Sequence, residues 1–143
     1  MVAFYYIDTT RRPQNATILK SFVLALFKKE GFSVGRVNYV FCNDKYLLNI
    51  NRTHLKHNFF TDIITFPLSE GGQPIVADIF ISTDRVFDNH ISFKASFQDE
   101  LRRVIFHGAL HLCGHNDKTV KQKEEMRAAE NKYLKMFHKY SST

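Results

Sequence analysis

The residues best equipped for chemistry lie in one stretch, His107-Gly108-Ala109-Leu110-His111-Leu112-Cys113-Gly114-His115-Asn116-Asp117, which holds three histidines and an aspartate. His107 and His111 are four residues apart. On an α-helix they project from one face, one turn apart, and two imidazoles can reach a single metal ion. Gly114 offers the left-handed residue that ends a helix and turns the chain back. The residues beyond it can return a third ligand and leave one coordination position open for water. Zinc accepts both His and Asp, and three protein ligands plus water is its catalytic arrangement. Such a site lowers the pKa of bound water to about 7 and polarises a phosphoryl oxygen, and both effects suit phosphodiester cleavage.

A single buried histidine is more often a packed core residue than a ligand. The helical pairing, the terminating glycine and the nearby carboxylate together favour a metal. Zinc-protease helices carry a Glu directly after the first His as general base, but this chain has Gly108 there, so a peptidase lacks its base. For the third ligand, His115 and Asp117 compete. Histidine is the commoner zinc ligand, but His115 follows Gly114 immediately and tends to fold back toward Leu110. Two further residues give Asp117 room to reach the histidine face. His107 and His111 are the expected first two ligands of one Zn2+ per chain; geometry favours Asp117 as the third, with His115 lining the cleft, and composition favours His115. An aspartate makes a weaker Lewis acid than a third imidazole and makes manganese or nickel more competitive.

The chain of 143 residues is long enough for one domain with a real core, spanning 1–143, and 44% of it is hydrophobic. Its formal net charge of +6 favours polyanionic partners, nucleic acid above all. Cys42 and Cys113 form no CxxC pair and no disulfide framework. The start lacks a basic leader, and the longest apolar run, Phe22 to Phe27, is far short of a membrane span, so the cytosol is the expected address. Arg11, Arg12, Arg36, Arg52, Lys56, Arg85 and Lys94 are candidates to draw a nucleic acid. Phe59 and Phe60 are placed to stack on unpaired bases or to pack onto the sheet. His57 and His115 suit proton transfer near pH 7, and Asp62 and Asp78 could orient the site or cap turns.

The elements that must position these residues read as follows. Strands are expected at Val2–Ile7, Arg36–Cys42, Thr61–Phe66 and Ile75–Ser82. Helices are expected at Ala16–Glu30, from Asn43 or Asp44 to about His54, and from Thr83 to about Phe87. Two more follow, one from Ser96 through the histidine stretch and one over Lys118–His138. Inward positions include Ile18, Leu19, Phe22, Leu26 and Phe27 on the first helix, and Val120, Met126, Ala129, Tyr133 and Phe137 on the last. The short loop between the last two strands makes them antiparallel, whereas helical connections allow parallel pairing elsewhere. The expected class is α+β: a small mixed four-stranded sheet with one antiparallel strand, about five helices and the metal site on a central helix.

The stretch His107 to Asp117 closely resembles the signature of the YbeY family, His-Gly-x-Leu-His-Leu-x-Gly-Tyr-Asp-His, matching at positions one, two, four, five, six and eight. Thr61-Asp62-Ile63-Ile64-Thr65-Phe66-Pro67 resembles the family's Thr-Asp-Val-Leu-Ser-Phe-Pro. Ala77-Asp78-Ile79-Phe80-Ile81-Ser82 resembles its Gly-Asp-Ile-x-Ile-Ser. The acidic, Met-containing final helix and the element order agree over nearly the whole chain. The resemblance implies a zinc-dependent, single-strand-specific endoribonuclease that matures the 3′ end of 16S rRNA and serves ribosome quality control. Its implied partners are rRNA and the ribosome or a small-subunit ribosomal protein. A non-catalytic assembly factor with a structural metal and another metal-dependent hydrolase are the alternatives. Asp117 stands where the family has its third histidine, six residues after His111, and so inherits the ligand role. The family's Tyr-Asp is His115-Asn116, and its arginine six residues before the Thr-Asp pair is Leu55. Arg52 or Lys56 would have to stand in for that arginine. The expected RNA-contacting set is Arg52, Lys56, His57, Phe59 and His115.

Overall fold

The computed structural model describes residues 1–142. Four strands, β1 (Val2–Ile7), β2 (Val34–Cys42), β3 (Ile63–Pro67) and β4 (Ile75–Ser82), form one sheet in the order β1-β2-β4-β3. β1 pairs with β2 and β2 with β4 in parallel, whereas β3 runs antiparallel to β4, with Ile63 opposite Ile81 and Phe66 opposite Asp78. The helices are α1 (Ala16–Lys29), α2 (Asp44–His54), α3 (Thr83–Ser92), α4 (Phe97–Leu112) and α5 (Val120–Ser141). The class is the expected α+β, with a mixed four-stranded sheet, one antiparallel strand and five helices.

Alternation along the strands sends side chains to two faces. Val37, Tyr39 and Phe41 of β2 and Ala77, Ile79 and Ile81 of β4 enter the main core with α1, α4 and α5. Ile64 and Cys42 turn the other way and join Leu47 of α2, with Phe66 and Phe80 against them. Helix α4 is thus held across one face of the sheet, and two contacts fix its height there. The Tyr39 hydroxyl donates to the Ile105 carbonyl at 2.9 Å inside the core. Gly108 lies so close to the sheet that a Cβ would stand 2.9 Å from Ile63 Cδ1 and 3.2 Å from Ile79 Cδ1.

Both ends of α4 are set by its sequence. Ser96 caps the start by accepting from the Asp99 amide, with Asp99 and Glu100 in the first turn, where the helix dipole favours acids. At the far end Gly114 takes φ 95. The Gly114 amide donates to the His111 carbonyl and the His115 amide to the Leu110 carbonyl, both at 3.1 Å. This is the double bond pattern of a Schellman stop.

Several expected boundaries and inward positions need correction, and β2 begins at Val34 instead of Arg36. Helix α3 runs to Ser92 instead of ending near Phe87: Ser82 caps it, Arg85 pairs with Asp88 at 3.0 Å, and burial of Thr83 and Val86 carries a polar stretch that reads as loop. β3 starts at Ile63, not Thr61. Helix α5 starts at Val120, because Thr119 and Gln122 form a capping box, and it extends to Ser141. Ile18 and Val120 are exposed, not inward; Val23 and Leu134 take their places in the core. Val120 is the first helical residue of α5, where the main core does not reach.

Candidate metal centre

The face of α4 that carries Glu100, Arg103, Val104, His107 and His111 lines a cleft of about 700 Å3. Its other walls come from the loop before β3, from β3, from the end of α3 and from α5. His107, His111 and Asp117 all reach this cleft. His107 is the best anchored. Its Nδ1 meets Glu130 Oε2 at 2.7 Å, and Arg103 Nη1 holds the other Glu130 oxygen at 3.2 Å. Its Nε2 lies 3.3 Å from Asp117 Oδ2. Burial alone would lower the pKa of His107. The Glu130 hydrogen bond and the charges of Glu130, Asp117 and Asp62 outweigh it and leave the pKa raised. An imidazolium between two carboxylates is the form that satisfies all three groups in the absence of metal.

His111 is exposed, and its Nδ1 lies 3.3 Å from the His115 carbonyl. Both imidazoles therefore have Nδ1 engaged, His107 with a carboxylate and His111 with a backbone oxygen, and Nε2 is the nitrogen left for a metal. Outer hydrogen bonds of this kind fix tautomer and ring orientation in metal-ligating histidines. Among the described residues no three His, Cys, Asp or Glu side chains are gathered closely enough to form a ready-made metal cluster. His107 and Asp117 touch, while His111 lines the same cleft. Two imidazoles with Nε2 available and a carboxylate are donors that suit zinc.

Glu130 lies between the apolar positions Met126 and Tyr133 on the inward stripe of α5 and is 5% exposed. A charged residue on an apolar helical stripe is the sequence signal that would have identified it. Glu130→Gln should keep the fold while weakening metal binding by about 10- to 100-fold, the usual effect of losing such a partner. Equilibrium dialysis against Zn2+ reads this directly, and unchanged affinity would remove Glu130 from the site.

Glu100 is the second buried acid, at 3% exposed. Its Oε1 has no hydrogen-bond partner, since Arg103 Nε stands 3.6 Å away, too far for one. Burial raises its pKa, and the nearby Arg103 and Arg127 only partly oppose this. A carboxyl with a raised folded pKa holds protons in the native state that the unfolded chain has released, so stability falls as pH rises above the ordinary carboxylate value. Glu100→Gln should therefore raise the melting temperature of the metal-free protein at pH 7. The gain should vanish below about pH 4, where both states are protonated. A lower melting temperature at pH 7 would mean that the Arg103 contact outweighs burial.

The other candidates divide. His57 and Phe59 line the cleft and stack on each other, with ring centroids 5.1 Å apart and planes at 20°. Phe59 and Phe60 are exposed and do not pack onto the sheet. The loop that carries them is tied down by buried Asn51, whose Nδ2 donates to the Phe59 carbonyl at 2.9 Å and whose carbonyl accepts from the His57 amide at 3.1 Å. Leu55 and Asp62 also line the cleft, whereas Arg52 and Lys56 flank it without lining it. Arg52 Nε is spent on Asn58 Oδ1 at 2.6 Å. Asp78 accepts from Asn38 Nδ2 at 3.0 Å and stands apart from the cleft. Arg11 and Arg85 are paired with Asp84 and Asp44.

His115, expected to line the cleft and contact RNA, is turned toward α1 instead. Its Nε2 donates to Glu30 Oε1 at 2.7 Å, and the Tyr133 hydroxyl donates to the other Glu30 oxygen. The Schellman stop aims it there, away from the cleft. Burial would raise the Glu30 pKa, but the bonds from Tyr133 and His115 outweigh it and leave the carboxyl below its ordinary value. Cys113 is half-buried and its thiol is pushed up to about 12, mainly by burial, which marks it as a packing residue, not a nucleophile. Among the described residues no helix is long and apolar enough to cross a membrane.

The sequence model described as Endoribonuclease YbeY matches residues 7–138. The chain is 44% identical over 135 residues to the Endoribonuclease YbeY of Cytophaga hutchinsonii, covering 94% of each chain. It is 42% identical over 139 residues to that of Flavobacterium psychrophilum, covering 96% of this chain and 97% of the relative. Among solved structures, the solution structure of TM1509 from Thermotoga maritima superposes with a TM-score of 0.67 at 25% identity, covering 97% of this chain and 92% of that one. The family model's match runs from the end of β1 to the last turns of α5 and includes every residue of the cleft, and the chain belongs to the Endoribonuclease YbeY family.

Proposed function

We propose that this protein, acting as one domain over residues 1–143, is a zinc-dependent endoribonuclease that cuts single-stranded RNA. On this reading it acts in rRNA processing, including maturation of the 16S 3′ end, and in ribosome quality control in the cytoplasm, in contact with the ribosome or a small-subunit protein. The observation that carries the reading is the contact of His107 Nε2 with Asp117 at 3.3 Å in a cleft that His111 shares, with both histidines held through Nδ1. Family membership supplies the reaction class.

His107, His111 and Asp117 would hold the ion. The chemistry that a bound zinc supplies is Lewis acidity toward a phosphoryl oxygen and a lowered pKa for water. The remaining roles belong to the chain. Glu130 orients His107 and keeps its Nε2 directed at Asp117. Arg103, Lys123 and Arg127 bring positive charge to the cleft, where a phosphate backbone must approach four carboxylates, Asp62, Glu100, Asp117 and Glu130. His57 and Phe59 offer a flat, exposed pair on which an unpaired base can stack. A duplex keeps its bases stacked on one another and cannot use that surface, which gives single strands their advantage.

The test is metal analysis of the purified protein with cleavage of single-stranded and duplex RNA, each with and without chelator. Zinc near one per chain and chelator-sensitive cleavage of the single strand alone are expected. Chelation that unfolds the protein, with no cleavage to lose beforehand, would instead make it an assembly factor with a structural metal.

A further inference from the structure

Phe93 lies outside every role assigned so far. It is the capping residue at the end of α3, and its ring is 56% exposed. It belongs to neither apolar core cluster. Its backbone, in contrast, is firmly held. The Phe93 amide donates to the Asn89 carbonyl at 2.9 Å, and the Ala95 amide to the His90 carbonyl at 3.1 Å. His90 Nδ1 also meets the Ala95 carbonyl at 3.0 Å, and Lys94 takes the left-handed conformation at φ 54. The segment thus presents a large apolar ring on a rigid turn, at the cleft that holds His107 and Asp117.

The Arg127 guanidinium carbon lies 5.8 Å from the centre of the Phe93 ring. Arg127 is half exposed, and its only ion pair among the described residues is a loose one with Glu130 at 3.8 Å. It is therefore available to a phosphate while it borders the ring. Through Glu130, the carboxylate that also holds His107 Nδ1, the Phe93–Arg127 pair borders the metal centre. The aromatic ring, on the end of α3, and the histidines, on α4, thus line one cleft from different elements. His57 and Phe59 come from a separate loop, between α2 and β3, so the two aromatic surfaces belong to different walls.

We propose that Phe93, with Arg127 beside it, is a second base-stacking site, which holds an unpaired nucleotide on one defined side of the bond to be cut. This rests on the RNA-cleavage reading above and extends it. Stacking is sequence-tolerant, because every base offers a π-face, and Arg127 adds a contact to the adjoining phosphate. An aromatic side chain with two rotatable bonds on a held backbone loses little freedom on binding. The site requires a base turned out of a helix, so it discriminates against duplexes for the same reason as His57 and Phe59. Its distance from the metal centre sets which nucleotide is held.

The experiment uses the full chain, a labelled single-stranded oligoribonucleotide, and EDTA so that binding is read without cleavage. Phe93→Ala should weaken binding roughly tenfold, and Phe93→Tyr should restore it. Because the ring is exposed, melting temperatures should agree with the parent. An abasic substitution is then moved along the oligonucleotide. The parent should lose the same factor when the gap reaches one position, on one side only of the cut, while Phe93→Ala loses nothing further there. With metal restored, Phe93→Ala should raise KM and leave kcat unchanged. If Phe93→Ala binds and cleaves like the parent, with the same abasic profile, the stacking site is wrong while the nuclease reading stands. Ile91 and Phe93 would then be an exposed apolar patch for a protein partner. If the parent neither binds nor cleaves single-stranded RNA, both fall.

Discussion

His111→Ala should strip the protein of its metal and reduce cleavage of single-stranded RNA on the order of 1,000-fold, the factor expected when several kcal/mol of Lewis-acid stabilisation is lost. His111 is the clean position for this test. It is exposed, and among the described residues its side chain makes one hydrogen bond, to a loop carbonyl at 3.3 Å, so removing the imidazole disturbs no core contact. The metal-free variant should unfold within about 0.5 kcal/mol of the metal-free parent. His107→Ala would lose cleavage as well, but it would also leave buried Glu130 with one partner fewer, and lost activity could then reflect a damaged fold. Metal content, melting temperature and cleavage rate measured on the same preparation separate the two causes. A metal-free His111→Ala that cleaves at the parental rate would show that the centre lies elsewhere.

How far the sequence discloses the site depends on whether a residue acts through local spacing or through distant packing. The paired histidines, the Ser96 cap and the Gly114 stop are local features, and the helix that carries them follows from three or four neighbouring residues each. The sheet was equally accessible, because alternation along β2 and β4 separates two apolar faces, and the short connection after β3 dictates its antiparallel pairing. What escaped was set by contacts across the chain. Glu130 becomes a partner of His107 only because α5 folds back along α4, 23 residues later in sequence. Glu30 captures His115 from 85 residues away, and nothing near either residue announces it. Phe93 was hidden by the polar stretch that disguised the second half of α3. Glu100 was credited with helix-dipole stabilisation, yet on α4 it falls on the face of Arg103, His107 and His111. Charged residues on an inward helical face were the overlooked signal in two of these cases.

The choice between Asp117 and His115 as third ligand has the sharpest expected outcome. The structure separates them by direction. Asp117 Oδ2 faces His107 Nε2 at 3.3 Å, whereas His115 sends its Nε2 to Glu30 at 2.7 Å on the far side of the turn. The backbone explains the split. The His115 amide is committed to the Leu110 carbonyl, which fixes the side chain next to α1, and two more residues let the chain come round to the histidine face of α4. Moving His115 into the cleft would require breaking that stop and its bond to Glu30 together. Asp117→Ala should therefore lose most of its zinc and slow cleavage on the order of 100-fold or more. Asp117→His should remain loaded, since either side chain ligates zinc, and three imidazoles make a stronger Lewis acid. His115→Phe should also stay loaded. Its cost should appear as lower stability, of order 1 kcal/mol, from the lost bond to a partly exposed Glu30. Zinc titration and thermal melting of the three variants decide the matter. A metal-free His115→Phe beside a fully loaded Asp117→Ala would transfer the ligand role to His115.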